Sequence, residues 1–91
     1  MTDTILIARV TGRVQGVSFR YWTCTQAEHL GLRGWVRNEP DGSVAALVIG
    51  PDQNVRDLVR ALHDGPPAAR VDAVKTMPGA DDGSVGFRVA G

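Results

Sequence analysis

Nine consecutive residues, Gly12-Arg13-Val14-Gln15-Gly16-Val17-Ser18-Phe19-Arg20, carry the densest chemical signal in the chain. Two glycines between a strand-like and a helix-like segment let the backbone curl until successive N–H groups face one point, and concave sets of amides bind anions. The helix that follows adds its free N-terminal amides and the positive end of its dipole. Arg20, in the first turn, brings a permanently charged planar fork matched to phosphate oxygens. The chemistry on offer is capture of a phosphoryl group by backbone and one guanidinium. On these residues alone, the plainer reading is a tight strand–helix connection with a surface arginine.

The elements around this run are legible from periodicity. Residues 5–14 alternate as a strand, with Leu6, Ala8, Val10 and Val14 on one face and Arg9, Thr11 and Arg13 opposite. Ser18 stands where a helix N-cap hydroxyl is expected. Behind it Phe19, Thr23, Ala27 and Leu30 fall on one helical stripe, and Gly31 supplies a left-handed stop before the apolar Leu32. A second strand runs over 32–38. Glu39-Pro40-Asp41-Gly42 is a turn, and Ser43 to Gly50 is a strand apolar on both faces, expected in mid-sheet with cover on each side. Pro51-Asp52 opens a second helix with Val55, Leu58, Val59 and Leu62 in register, closed by Gly65-Pro66-Pro67. Arg70 to Thr76 reads as a fourth strand, 80–84 as a loop, and Gly86 to Ala90 as a short edge strand.

The order β-α-β-β-α-β is the split βαβ plan of the ferredoxin-like α/β sandwich, an α+β fold with both helices on one face of an antiparallel sheet. In that plan the first two strands run parallel with the third between them. The loop after strand one and the end of strand two then open at the same edge, roughly 10 Å apart at two strand spacings. Arg20 and a bound phosphate can bridge such a gap.

Composition restricts the partners. With 91 residues there is room for one modest core, and 43% hydrophobic with 22% charged residues is ordinary for a soluble globular protein. Ten basic residues balance ten acidic ones, which argues against nucleic acid or anionic membrane as the partner. Cys24 is the only cysteine, and His29 and His63 are far apart without ligand-type neighbours, so neither a disulfide nor a metal site is expected. The apolar run Ile5-Leu6-Ile7-Ala8 is too short for a signal or a membrane span, and a cytoplasmic location is expected.

The run at 12–20 resembles the signature of the acylphosphatase family. Gly34-Trp35-Val36-Arg37-Asn38 followed by Asp41-Gly42-Ser43-Val44 is similar to that family's second signature, at fitting spacing. The likeness extends from about Val10 through the second helix and more loosely to Gly86-Phe87-Arg88-Val89. It implies a single acylphosphatase-like domain over residues 1–91 that hydrolyses small-molecule acyl phosphates to a carboxylate and inorganic phosphate. It also implies that Arg20 and the amides of Gln15, Gly16, Val17, Ser18 and Phe19 hold the phosphoryl group, and that Asn38 orients the attacking water. No metal or other cofactor is implied, and the chain is expected to act as a monomer. Ser18 departs from the bulkier residue expected at its motif position.

The remaining candidates read as structural. Trp22 and Trp35 are expected in the core or partly covered, Cys24 as helical packing, and Arg13, Arg33, Arg37 and Arg88 as solvated or ion-paired. An RNA-recognition module of the same fold would need aromatic residues on its central strands, and the first and third strands have none. A phosphate-binding relative without turnover, or a detached domain of a larger maturation protein, is the alternative to an enzyme.

Overall fold

The computed structural model describes residues 2–91. Seven elements follow one another: β1 (Thr4–Arg13), α1 (Phe19–His29), β2 (Arg33–Asn38), β3 (Val44–Gly50), α2 (Asp52–Asp64), β4 (Arg70–Pro78) and β5 (Phe87–Val89). The strands form one sheet in the order β4-β1-β3-β2-β5. The first four are antiparallel neighbours, as expected for the ferredoxin-like plan. The sheet as a whole is mixed rather than antiparallel, because β5 joins β2 in parallel. The long crossing between β4 and β5 sets this direction: it carries the chain from one sheet edge to the other before β5 begins.

Alternation builds the core. Ala8 and Val10 of β1, Val36 of β2, and Val44, Ala46 and Val48 of β3 are nearly sealed and meet Phe19 and Ala27 of α1 and Val55, Leu58 and Leu62 of α2. Both helices therefore lie on one face. The other residues of β3, Ala45, Leu47 and Ile49, are at most 4% exposed although no helix covers them. Their cover is the 79–86 crossing. Gly79 packs against Ile5, Ile7 and Leu47, and Arg33 pairs with Asp81 through two hydrogen bonds of 3.0 and 2.5 Å. Trp35 donates its indole N–H to Asp82 at 3.2 Å and carries the Arg37 guanidinium over its ring at 4.5 Å. The expectation of a doubly covered central strand thus has two different physical sources.

Local chemistry explains the element ends. Leu32 N–H bonds the Ala27 carbonyl at 2.9 Å and Gly31 N–H the Glu28 carbonyl at 3.1 Å, with Gly31 at φ 66°. This is a Schellman closure, and Leu32 is then buried as its apolar contact. The β2–β3 hairpin closes with Glu39 N–H on the Ser43 carbonyl at 2.8 Å. β4 runs two residues beyond the expected Thr76, since Ile7 and Leu6 still offer partners to Met77 and Pro78. A proline is tolerated at such an edge-strand end. At the other end of β1, the β4 register shifts between Thr11 and Gly12. The extra residue at this shift is Asp72 of β4, and a Cβ on Gly12 would lie 2.2 Å from the Arg70 carbonyl oxygen, so only glycine permits β1 to approach the bulge this closely.

Two measurements follow. The Thr23 hydroxyl is fully buried without a hydrogen-bond partner among the described residues. Replacing it by Val removes an unsatisfied polar group at constant shape, so Thr23→Val should leave stability unchanged or raise it by up to about 1 kcal/mol in chemical denaturation. Arg33 and the Gly83 N–H hold the Asp81 carboxyl down from 3.8 to about 2. A depressed folded-state value stabilises above the unfolded value and is lost as pH falls. Asp81→Asn should therefore flatten the decline of Tm between about pH 4 and pH 2 relative to the parent protein.

Candidate functional site

The chain leaves β1 at Arg13 and enters α1 at Phe19, and the five residues between them do not continue either element. Here φ alternates in sign. It is positive at Gly16 (73°) and Ser18 (62°) and negative at Gln15, Val17 and Phe19, Ser18 being the one non-glycine with positive φ among the described residues. Alternation of this kind points consecutive N–H groups to one side and forms a nest. The N–H groups of Gln15, Gly16, Val17, Ser18 and Phe19 find no carbonyl or side-chain acceptor among the described residues. Gly16 and Ser18 are exposed and Phe19 begins the helix, so these donors are free to meet solvent or a ligand.

The Ser18 conformation corrects one expectation. Its side chain makes no capping bond to the first turn of α1. A hydroxyl cap requires an extended N-cap backbone, whereas Ser18 sits in the left-handed region at φ 62° and ψ 21°. Its carbonyl still starts the helix, accepting Trp22 N–H at 3.0 Å. A left-handed non-glycine costs on the order of 1 kcal/mol, and here that conformation is part of the nest.

The helix anchors the far side of the loop. Phe19 is 1% exposed and meets the Trp22 ring at a centroid distance of 5.5 Å. With the first residue of α1 locked in the core, Arg20 turns outward and reaches the loop mouth, its Nη1 donating to the Gly91 carbonyl at 3.1 Å. On the sheet side, Asn38 is the last residue of β2 and has the same parity as the buried Val36, so its side chain lies on the helix-bearing face. Both Asn38 and Val10 pair with Val44, which places Asn38 two strands across from β1, as the topology requires. The Asn38 side-chain oxygen is buried and has no donor among the described residues.

These residues share one hollow of about 230 Å³, lined by Val14, Gly16, Ser18, Phe19, Arg20, Tyr21 and Asn38. Of the residues expected at the site, Gln15 and Val17 do not line it. Val17 packs against the core, and Gln15 sends its carboxamide to the β2–β3 hairpin. Val14 and Tyr21 were not expected there. Tyr21 follows Arg20 in the first helical turn and stands 66% exposed at the rim. The hollow offers amides, a guanidinium and a side-chain acceptor, an arrangement suited to a small oxyanion and a polar neighbour.

The other candidates have structural roles. Trp22 packs against the core and Trp35 lies on the opposite sheet face. The Cys24 thiol contacts the Phe87 carbonyl oxygen at 3.2 Å, and burial, reinforced by Glu28, pushes its pKa up, away from reactivity. Arg33 and Arg37 are ion-paired to Asp81 and Glu39. No helix among the described residues is long and apolar enough to cross a membrane.

Known proteins are similar to this chain in sequence and in fold. The Acylphosphatase family model matches residues 6–89. An acylphosphatase of Nitrobacter hamburgensis is 54% identical over 78 residues, covering 86% of this chain and 79% of its own. The solved acylphosphatase structure from Coxiella burnetii superposes with a TM-score of 0.92 at 35% identity, over 98% of this chain and 94% of that one. The one from Bacillus subtilis does so with a TM-score of 0.90 at 33% identity, over 94% and 97%. With a family model spanning nearly its whole length, and relatives about half identical over most of the chain, this chain belongs to the acylphosphatase family.

Proposed function

We propose that the protein hydrolyses acyl phosphates to a carboxylate and inorganic phosphate, with the 15–19 amides and Arg20 binding the phosphoryl group and Asn38 orienting the attacking water. The observation that carries this reading is one hollow lined by Gly16, Ser18, Phe19, Arg20 and Asn38, beside a run of five N–H groups without an acceptor among the described residues. Residues 1–91 act as one catalytic domain, as a monomer in the cytoplasm, on a small-molecule substrate and without a metal or organic cofactor.

The division of labour follows from the reaction. An acyl phosphate is a mixed anhydride whose carboxylate leaves readily, so the protein is asked mainly for placement and for charge stabilisation. Charge on the equatorial phosphoryl oxygens is met by dipoles already fixed in place, which need not reorganise during the reaction. Ser18 and Gly16 hold those dipoles by their positive φ, and Phe19 holds the loop to the core. Arg20 adds a formal positive charge without a proton to lose.

Asn38 cannot serve as a base, because a carboxamide does not take up a proton near neutral pH. Its unpaired side-chain oxygen can accept a hydrogen bond from water and so aim an oxygen lone pair at phosphorus. The P–O bond to the acyl oxygen breaks as the water oxygen bonds phosphorus. The carboxylate departs with the bond pair, and the water proton passes to a phosphoryl oxygen of the substrate itself.

Turnover of an aromatic acyl phosphate in the presence of chelator should be well above the buffer rate; its absence would remove the enzyme reading. Arg20→Ala and Asn38→Ala should each lower kcat/KM by at least about 10²-fold, the usual loss for a preorganised contact to developing charge. Near-parental activity in either variant would overturn the role given to that residue. Inorganic phosphate should inhibit competitively, and Arg20→Ala should weaken that inhibition.

A further inference from the structure

Gln15 contributes more than its backbone amide. Its side-chain Nε2 donates to two carbonyl oxygens, Glu39 and Ser43, each at 2.9 Å. A carboxamide nitrogen has two donors, and both are used. The two carbonyls sit at the mouth of the β2–β3 hairpin, where Glu39 N–H also bonds the Ser43 carbonyl at 2.8 Å and Gly42 N–H the Glu39 carbonyl at 3.1 Å. Glu39 directly follows Asn38. A side chain from the first residue of the nest thus grips the peptide next to the residue that faces the nest.

The hairpin is gripped from its other side as well. Ser43 donates its hydroxyl to Asp41 at 2.6 Å, and Arg9 Nη1 reaches Asp41 at 2.9 Å and the Ser43 hydroxyl at 3.2 Å. Those bonds hold the tip against β1, on the sheet face away from the helices. They leave open the distance between Asn38 and the 15–19 loop, which belong to different elements and touch through no ladder. Gln15 closes that distance.

We propose that Gln15 is a positioning residue, setting the separation between the anion-binding loop and Asn38 so that the oriented water lies in line with phosphorus. The inference rests on the acyl phosphate hydrolysis proposed above and deepens it. Without the strut the loop keeps its backbone donors and still binds phosphate, but the end of β2 drifts by a fraction of an ångström to an ångström. Misplacement on that scale is enough to cost orders of magnitude in rate.

The test is a kinetic cycle on the full chain, with benzoyl phosphate as substrate and inorganic phosphate as inhibitor. Gln15→Leu should lower kcat by about 10- to 100-fold, while the phosphate inhibition constant stays within about threefold. Asn38→Ala, worth about 10²-fold in the parent, should cost no more than about tenfold in the Gln15→Leu background, because a misplaced carboxamide has less left to lose. Gln15→Glu keeps the shape but turns an ionised carboxylate toward two carbonyl oxygens. Its kcat relative to the parent should be lowest at neutral pH and recover as the new carboxyl protonates and regains a donor. The charged groups around the hairpin, Glu39 with Arg37 and Asp41 with Arg9, are paired and common to all variants, so the ratio to parent isolates the new carboxyl.

Parental turnover and its loss in Asn38→Ala test the function itself. With both observed, a Gln15→Leu kcat within about twofold of parent, or losses that multiply independently with Asn38→Ala, overturns the coupling alone. If Gln15→Leu does not fold, the pH profile of Gln15→Glu decides: recovery on acidification supports the strut, and a constant ratio to parent overturns it.

Discussion

Between β1 and α1 the chain gathers five consecutive backbone N–H groups that meet no acceptor among the described residues. The alternating φ of residues 15–19 is the cause. With positive φ at Gly16 and Ser18 the backbone leaves both the β1 ladder and the α1 turn, and these two residues line the hollow together with Phe19. The rest of the structure serves this arrangement. The chain leaves the sheet after Arg13, Phe19 fixes it to the core, and the helix then presents Arg20 at the mouth.

The sheet supplies the second half of the site through topology. Because β3 lies between β1 and β2, a strand that is a purely structural filler of valine, alanine, leucine and isoleucine sets the width across which the two functional elements face each other. Its burial on both faces makes that width stiff. One face is covered by helices and the other by the 79–86 crossing, pinned by Arg33–Asp81 and Trp35–Asp82.

Much of this was legible from local rules, and the parts that were not share a reason. The β1 alternation, the Gly31 helix stop, the Asp41-Gly42 turn and the doubly apolar β3 each follow from chemistry within a few residues. The two motif blocks led to Arg20 and Asn38, and the structure brings both to one hollow. Ser18 was misread as a hydroxyl cap because the same residue type serves caps and left-handed turns, and only the closed loop selects between them. The parallel course of β5 depends on a crossing of the sheet, which is invisible to windowed periodicity. The Gln15 grip on Glu39 and Ser43 joins residues 24 and 28 positions apart, and nothing in a glutamine's neighbours announces its distant partner.

The central claim is that the 15–19 backbone, and not surface charge in general, receives the phosphoryl oxygens. The most direct measurement is a titration of ¹⁵N-labelled protein with inorganic phosphate, followed residue by residue through its amide resonances. The Gly16, Val17, Ser18 and Phe19 N–H signals should move downfield together along one saturating curve, while those of α2 stay fixed. Saturable binding that left these four amides unmoved, or that shifted α2 amides instead, would contradict the account.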